Sequence, residues 1–392
     1  MDSGGLEKRI AVLDVIRGFA VFGILLVNML SFHSPYLYIS FDPFSWWDTP
    51  ADQALYRVIH VLAEGSFYPL FSLLFGYGLV LLMEKTTARG LNFRTVALRR
   101  LTVLLLFGMI HAFLIWHGDI LIAYAVMGFI FLLFLRMSGK GMILTGALLA
   151  SISAVLFSVL MFAAVSFAPE EEWMRELYDQ HAAEQTVQAY QAGSFAEISA
   201  QRFSDWSMVN NIWNATGYLF MILPYFLLGG GAAKYRWMER IEELKRPFAA
   251  AFAVFFAAGL SLKLVPHVVD FNLASQFVAY AMGGPLLAIA YGLGIALLFA
   301  GNVGKGLLAF SPVGRMSLTN YIMQSVICTL IFYSYGLGLY GKVSVTAGTV
   351  IAFVLFGLQM VFSRLWMNRF RYGPLEWLWR TATYMKKQPM KR

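Results

Sequence analysis

Long apolar runs separated by short polar segments dominate the chain from residue 11 onward. A helix rises about 1.5 Å per residue, so about 20 mostly apolar residues cross a bilayer core. On that criterion the runs predict ten spanning helices, near 11–31, 66–84, 97–116, 119–135, 142–167, 211–233, 248–266, 274–300, 317–338 and 344–363. Residues 54–64 form a short amphipathic stretch, interfacial or leading into the second span. The expected fold class is all-α, a polytopic integral membrane helical bundle. It is read as one transmembrane domain over 1–392: a five-span half at about 9–167, an outer loop at 168–210, and a second five-span half with a cytoplasmic tail at 211–392.

Composition narrows the class. Of 392 residues, 59% are apolar and 13% charged, with a mean hydropathy of +0.64. A soluble domain has about 45–50% apolar and about 25% charged residues. A soluble enzyme of this length is excluded, and so is a disordered chain, which needs low hydrophobicity. A single cysteine, Cys328, excludes an intrachain disulfide framework and a cysteine-based zinc site.

The charges orient the spans. Loops on the cytoplasmic side are enriched in Lys and Arg. With the N-terminus inside, 24 of the 30 Lys and Arg fall in inner segments, among them Lys85, Arg94, Arg99, Arg100, Arg136, Lys234, Arg315, Arg371 and the tail. The outer segments are acidic, with Asp42, Asp48 and Asp52 in one and Glu170 to Asp205 in another. An even number of spans with both termini cytoplasmic fits every loop and predicts a multi-pass plasma-membrane protein. The net charge of +8 is accounted for by anionic lipid at the inner face, without a nucleic-acid partner. The first apolar run has full spanning length and carries Asp14 and Arg17, so it reads as a span and not as a cleaved signal. The outer loop, rich in charge, Gln and Ala, reads as helix laid over the outer face, too short for its own core.

Polar groups inside a bilayer are costly and mark candidate sites. Asp14 and Arg17, three apart, share a helix face and can pair, or Arg17 can reach a substrate phosphate or carboxylate. The histidines are His33, His60, His111, His117, His181 and His267, and none lies in an inner loop of this topology. His117 and Asp119 flank a tight turn, and an imidazole beside a carboxylate is what a general base needs. His60 and Glu64, four apart, can share a face. Ser317, Asn320 and Gln324 recur at helical spacing, widened by Thr319, Tyr321 and Ser325. Such a stripe faces another helix or a wet cavity, because facing lipid would cost too much. The glycine clusters suit close helix packing, and none is a phosphate-loop pattern.

Leu13-Asp14-Val15-Ile16-Arg17-Gly18 followed by Val27-Asn28-Met29 resembles the opening of the YeiB-like membrane proteins, whose C-terminal half is domain of unknown function 418. Trp116 to Leu121, Gly314 to Gln324, and Phe370-Arg371-Tyr372-Gly373-Pro374-Leu375-Glu376-Trp377 are similar to that family too. The resemblance runs from about residue 9 to the C-terminus. The wider group it resembles is the transmembrane acyltransferase superfamily, which includes the lysosomal heparan-α-glucosaminide N-acetyltransferase and bacterial O-acyltransferases of envelope sugars. The resemblance implies a bundle of about ten helices that passes an acyl group from cytoplasmic acetyl-CoA or another acyl-CoA to an envelope glycan or lipid acceptor. It puts Arg17 at the superfamily's arginine. At Asn28 the O-acyltransferases have histidine, whereas the heparan enzyme has asparagine. Eleven residues on, where that enzyme has its catalytic histidine, this chain has Ile39, and its nearest histidine is His33.

On this expectation the base is sought among His33, His111 and His117, with Asp119 as orienter. Arg94, Arg99, Arg100 and Arg315 would hold CoA phosphates, and Asn28, Asn320 and Gln324 would polarise the thioester carbonyl. No metal is expected, membrane lipid is a partner, and a homodimer is one option. A transporter or lipid-handling protein using the stripe at 317–324 is the alternative, and a sensory protein acting through the outer loop is a third.

Overall fold

The protein is described by a computed structural model covering residues 3–167, 179–269 and 271–392. Among these residues the regular structure is helical, with one isolated bridge between Phe370 and Lys391 and no strand. The first half contains α1 (Ser3–His33), α2 (Pro50–Leu62), α3 (Phe67–Ala88), α4 (Phe93–Ile110), α5 (Leu121–Phe131) and α6 (Gly139–Phe167). Then come α7 (Gln180–Ala192) and α8 (Phe195–Val209). The second half contains α9 (Ile212–Met221), α10 (Leu223–Lys234), α11 (Lys245–Val268), α12 (Leu273–Val278) and α13 (Gly284–Ala300). It closes with α14 (Ser311–Arg315), α15 (Ser317–Phe332), α16 (Val345–Arg369) and α17 (Pro374–Tyr384).

Among the described residues, eight helical stretches are long and apolar enough to cross a membrane, and each overlaps an expected span. The other two expected spans are shorter apolar helices, Leu121–Phe134 and Ser317–Phe332. The span expected at 317–338 ends early because Tyr333 turns into extended backbone and Gly338 takes a positive φ of 62°. The amphipathic lead-in is real and longer than expected: α2 is capped by Thr49 and runs into α3 through Gly65, at φ 74°. The run at 211–233 breaks between α9 and α10, and Pro224 opens the second piece.

Outward faces are apolar. On α6, Leu144, Leu148, Ile152, Val155, Leu156 and Val159 are exposed, as are Val350, Phe353, Val354, Leu358 and Leu365 on α16. Exposed apolar surface of that extent suits a lipid environment. Inside, glycines let backbones meet. A Cβ at Gly76 would overlap the Phe226 carbonyl, and one at Gly229 the Leu73 carbonyl, so α3 and α10 lie backbone to backbone. Likewise Gly18 meets the Phe310 carbonyl and Gly314 the Asp14 carbonyl, which seats α14 on α1.

The described part of the loop at 168–210 is helical, as expected; its residues 168–178 lie outside the described residues. Asp179 caps α7, and a Ser194–Glu197 capping box starts α8. The Tyr190 ring stacks on Tyr333 at 4.3 Å, and the Tyr190 carbonyl accepts from Ser334 N at 2.8 Å. Together α7 and α8 form a cap docked on the bundle.

Candidate functional site

α4 ends in a π-turn over His111–Ile115, whose wider winding is common at functional sites. The chain then reverses through Trp116–Ile120 into α5. Asp119 Oδ2 accepts from Ile122 N at 2.8 Å and so caps α5. A Cβ at Gly108 would come within 2.7 Å of Ile122 N and 3.1 Å of Asp119 Oδ2, so glycine is needed for α4 and α5 to approach there. The result places Asp119 Oδ1 2.8 Å from His111 Nδ1, and both side chains are fully buried.

The other ring nitrogen, His111 Nε2, lies 2.8 Å from Ser325 Oγ on α15. A carboxylate only accepts, so Nδ1–H donates to Asp119 and Nε2 accepts from the Ser325 hydroxyl. Tyr321, one turn before Ser325, packs its ring 5.0 Å from His111 and donates its hydroxyl to Gly118 O at 3.1 Å. A carboxylate, an imidazole and a hydroxyl in this order are the groups of a base-activated nucleophile.

Asp119 was expected beside whichever of His33, His111 and His117 is the base, and of these it meets His111 and not its nearer neighbour His117, because the π-turn swings the His111 ring back across eight residues onto the carboxylate. His117 looks to the cap, with Nδ1 3.5 Å from Asp205 Oδ2 and 3.4 Å from the Tyr190 hydroxyl. Burial pushes the His117 imidazole below its ordinary value, and the Asp205 carboxylate pulls the other way. Asp205 also accepts from Tyr38 at 2.6 Å, Tyr190 at 2.5 Å and Gln201 Nε2 at 2.7 Å. His33 is buried with neither ring nitrogen hydrogen-bonded, between Trp47 and Phe332.

The stripe on α15 meets α16. Asn320 Nδ2 donates to Met316 O and to Ser363 Oγ, both at 3.0 Å, and Gln359 Nε2 donates to Asn320 O at 3.0 Å. Gln324 Nε2 donates to Gln359 Oε1 at 2.8 Å. Asn28 is half-buried on α1, and its side chain makes no hydrogen bond among the described residues.

At the other end of α4, Arg94 and Arg99 are exposed, and Arg100 stacks over the Trp379 ring at 3.7 Å. Arg17 pairs with Asp14 at 3.0 Å, and Arg315, exposed, reaches Arg371 O at 3.5 Å. The C-terminal motif serves α15 directly. Glu376 accepts from Leu318 N at 2.8 Å, Thr319 N at 3.0 Å and Thr319 Oγ1 at 2.6 Å, closing the first turn of the helix that carries Ser325. Burial pushes the Glu376 carboxyl up, and those three donors oppose it.

A second polar nest sits elsewhere. His267 Nε2 lies 3.0 Å from His60 Nδ1, His60 lies 3.7 Å from Glu64, and Lys263 Nζ donates to Glu64 O at 2.9 Å. A cavity of about 420 Å³ adjoins it, lined by Phe44, Arg57, His267 and Phe271 among others. No group of three His, Cys, Asp or Glu placed to hold a metal occurs among the described residues.

A family model described as a protein of unknown function, DUF418, matches residues 232–386. The chain is 31% identical over 398 residues to the uncharacterized protein YeiB of Escherichia coli, covering 96% of this chain and 96% of that one. It belongs to the YeiB-like DUF418 family. It is also 39% identical over 401 residues to the uncharacterized protein YxaH of Bacillus subtilis, with 98% of this chain and 96% of that one covered. A third relative, an uncharacterized 39.9 kDa protein in an amylase 3' region of Bacillus acidopullulyticus, is 29% identical over 413 residues, covering 100% of this chain and 98% of that one. No solved structure matches. The DUF418 region carries Ser325, Asn320 and Glu376, whereas His111 and Asp119 come from the first half, so the site joins the two halves.

Sequence reasoning singled out His111 and Asp119 but missed Ser325 as their third member. It saw Ser325 only as the edge of the stripe. The i, i+4 spacing of Tyr321 and Ser325 was the available signal, since it defines a face distinct from Asn320 and Gln324.

Proposed function

We propose that this protein is a membrane acyltransferase that takes an acyl group from a cytoplasmic acyl-CoA and passes it to a hydroxyl or amine acceptor, an envelope glycan or lipid, at the outer face. The observation that supports it is the buried His111 imidazole held between the Asp119 carboxylate and the Ser325 hydroxyl. Ser325 Oγ attacks the thioester carbonyl while its proton passes to His111 Nε2, and Asp119 stabilises the imidazolium. The C–S bond breaks, and the departing thiolate takes the proton from His111. The acceptor then attacks the Ser325 ester, again losing its proton to His111, and Ser325 Oγ–H is restored.

Asn320 and Gln324 are committed to α16, so Asn28 is the amide of the three free to polarise the carbonyl. Arg94, Arg99 and Arg100 would take the CoA phosphates. Arg100 and His111 are eleven residues apart on one helix, about 16 Å along its axis. The Lys and Arg distribution supports a plasma-membrane protein with both termini cytoplasmic. Incubating the purified protein with radiolabelled acetyl-CoA and mapping the labelled peptide by mass spectrometry tests the reading. Label on the peptide carrying Ser325, lost in Ser325→Ala, is the expected result. Acceptor acetylation that survives unchanged in Ser325→Ala would move the chemistry to direct attack on the thioester, and no transfer from any acyl-CoA would remove the reading.

A further inference from the structure

Arg202, on the cap helix α8, is 0% exposed. Its Nη1 donates to Phe113 O at 2.8 Å, inside the π-turn that begins at His111. Its Nε and Nη2 are buried without any hydrogen-bond partner. No carboxylate of the described residues lies within ion-pair distance of it. Asp205, three residues on, is instead taken up by Tyr38, Tyr190 and Gln201. A guanidinium stays protonated in a protein. A buried charge with one neutral acceptor is strongly unfavourable unless an anion completes it.

One helical turn further, Trp206 Nε1 is also buried and unpartnered. Residues four apart on a helix share a face. The Trp206 ring packs on the Phe113 ring at 4.8 Å, the residue whose carbonyl Arg202 holds. Three kinds of vacant N–H donor, Arg202 Nε, Arg202 Nη2 and Trp206 Nε1, are therefore gathered between the cap and the π-turn. A guanidinium edge offers two parallel donors, the geometry that fits two oxygens of a carboxylate or phosphate.

We propose that Arg202 and Trp206 form a binding site for an oxyanion, a carboxylate or a phosphate, held beneath the outer cap. The source is either a soluble anionic molecule or the headgroup of an anionic lipid, and both present the same oxygens. The site stands whether or not the protein transfers acyl groups.

Thermal unfolding of the full-length, delipidated protein in neutral detergent tests it. Sodium phosphate and sodium acetate are titrated at constant ionic strength against sodium chloride, and phosphatidylglycerol is compared with phosphatidylcholine. A ligand of the folded state raises the unfolding midpoint with its concentration. The expected result is a midpoint rise in the wild type with phosphate or acetate, weakened about tenfold or more in apparent affinity by Arg202→Gln. A rise with phosphatidylglycerol that phosphate competes away would assign the lipid headgroup as the source. Trp206→Phe, which keeps the ring and removes the N–H, should weaken the same response by a few-fold, and it decides the matter if Arg202→Gln does not fold. No response of the wild type to phosphate, acetate or phosphatidylglycerol overturns the proposal. So does an undiminished response in Arg202→Gln, or, where that variant is unfolded, in Trp206→Phe.

Discussion

α15 carries two polar rows, and they end differently. Asn320 and Gln324 face α16, where Gln359 and Ser363 take up their amides. Tyr321 and Ser325 lie one residue further along, about 100° round the helix, and face the π-turn. The first row is closed: its amides are shared between two helices and leave little for a ligand. The second ends on an imidazole nitrogen that accepts a hydroxyl proton, with a carboxylate behind it. Equal polarity along a helix thus separates into a fastening between two helices and a contact with a carboxylate-backed imidazole only by what faces each row.

The largest effect expected from breaking this contrast is at His111. His111→Gln keeps a donor for Asp119 and removes the proposed base, so the proposed turnover with acyl-CoA should fall by about 10²–10⁴-fold while the protein remains folded. Unchanged turnover would erase the distinction between the rows. Asn320→Leu should act the other way. It strips partners from Ser363 and from the Met316 carbonyl, costing about 1–3 kcal/mol in unfolding, with turnover per folded molecule kept within a few-fold. A collapse of turnover at full stability would place the first row in the site.

Gln324→Leu leaves Gln359 Oε1 without that donor and should cost about 1 kcal/mol or less, since hydrogen bonds within membrane bundles average well under their expected worth. The smallest effect concerns His117, which lies in the turn next to the second row but faces Asp205 and Tyr190 of the cap. Its imidazole is held below the ordinary value near 6.5 by burial, so the unfolded chain binds a proton that the folded one refuses. Stability is therefore retained above about pH 6.5 and lost as pH falls below it. Comparing unfolding midpoints at pH 7 and pH 5 should show a wild-type loss that is smaller in His117→Phe.

Much of the fold was legible. Apolar runs located every long helix, since spanning length is set by the bilayer and not by tertiary contacts. The two places where length misled, at 121–134 and 317–332, are short helices that begin or end at turns inside an apolar run, where hydropathy does not change. At the site, His111, Asp119 and Asn320 stood out because ionisable or amide groups in apolar runs are rare. Ser325 did not, because a serine in a helix is unremarkable until its partner is known. Arg202 read as an ordinary charge in an acidic loop, and only the docking of α8 buried it.

The sequence by itself determined that the chain is an all-helical membrane bundle, which way its charges divide, and which of its polar residues are costly enough to need a reason. Those properties follow from composition and period and are local. Tertiary structure alone decided that Asp119 serves His111 and not its nearer neighbour His117, that Ser325 completes the pair from 206 residues further along the chain, and that Glu376 closes the first turn beneath it. Hydrogen bonds act over about 3 Å and are indifferent to sequence separation, so the partner of a buried polar group is settled only when helices from both halves have packed.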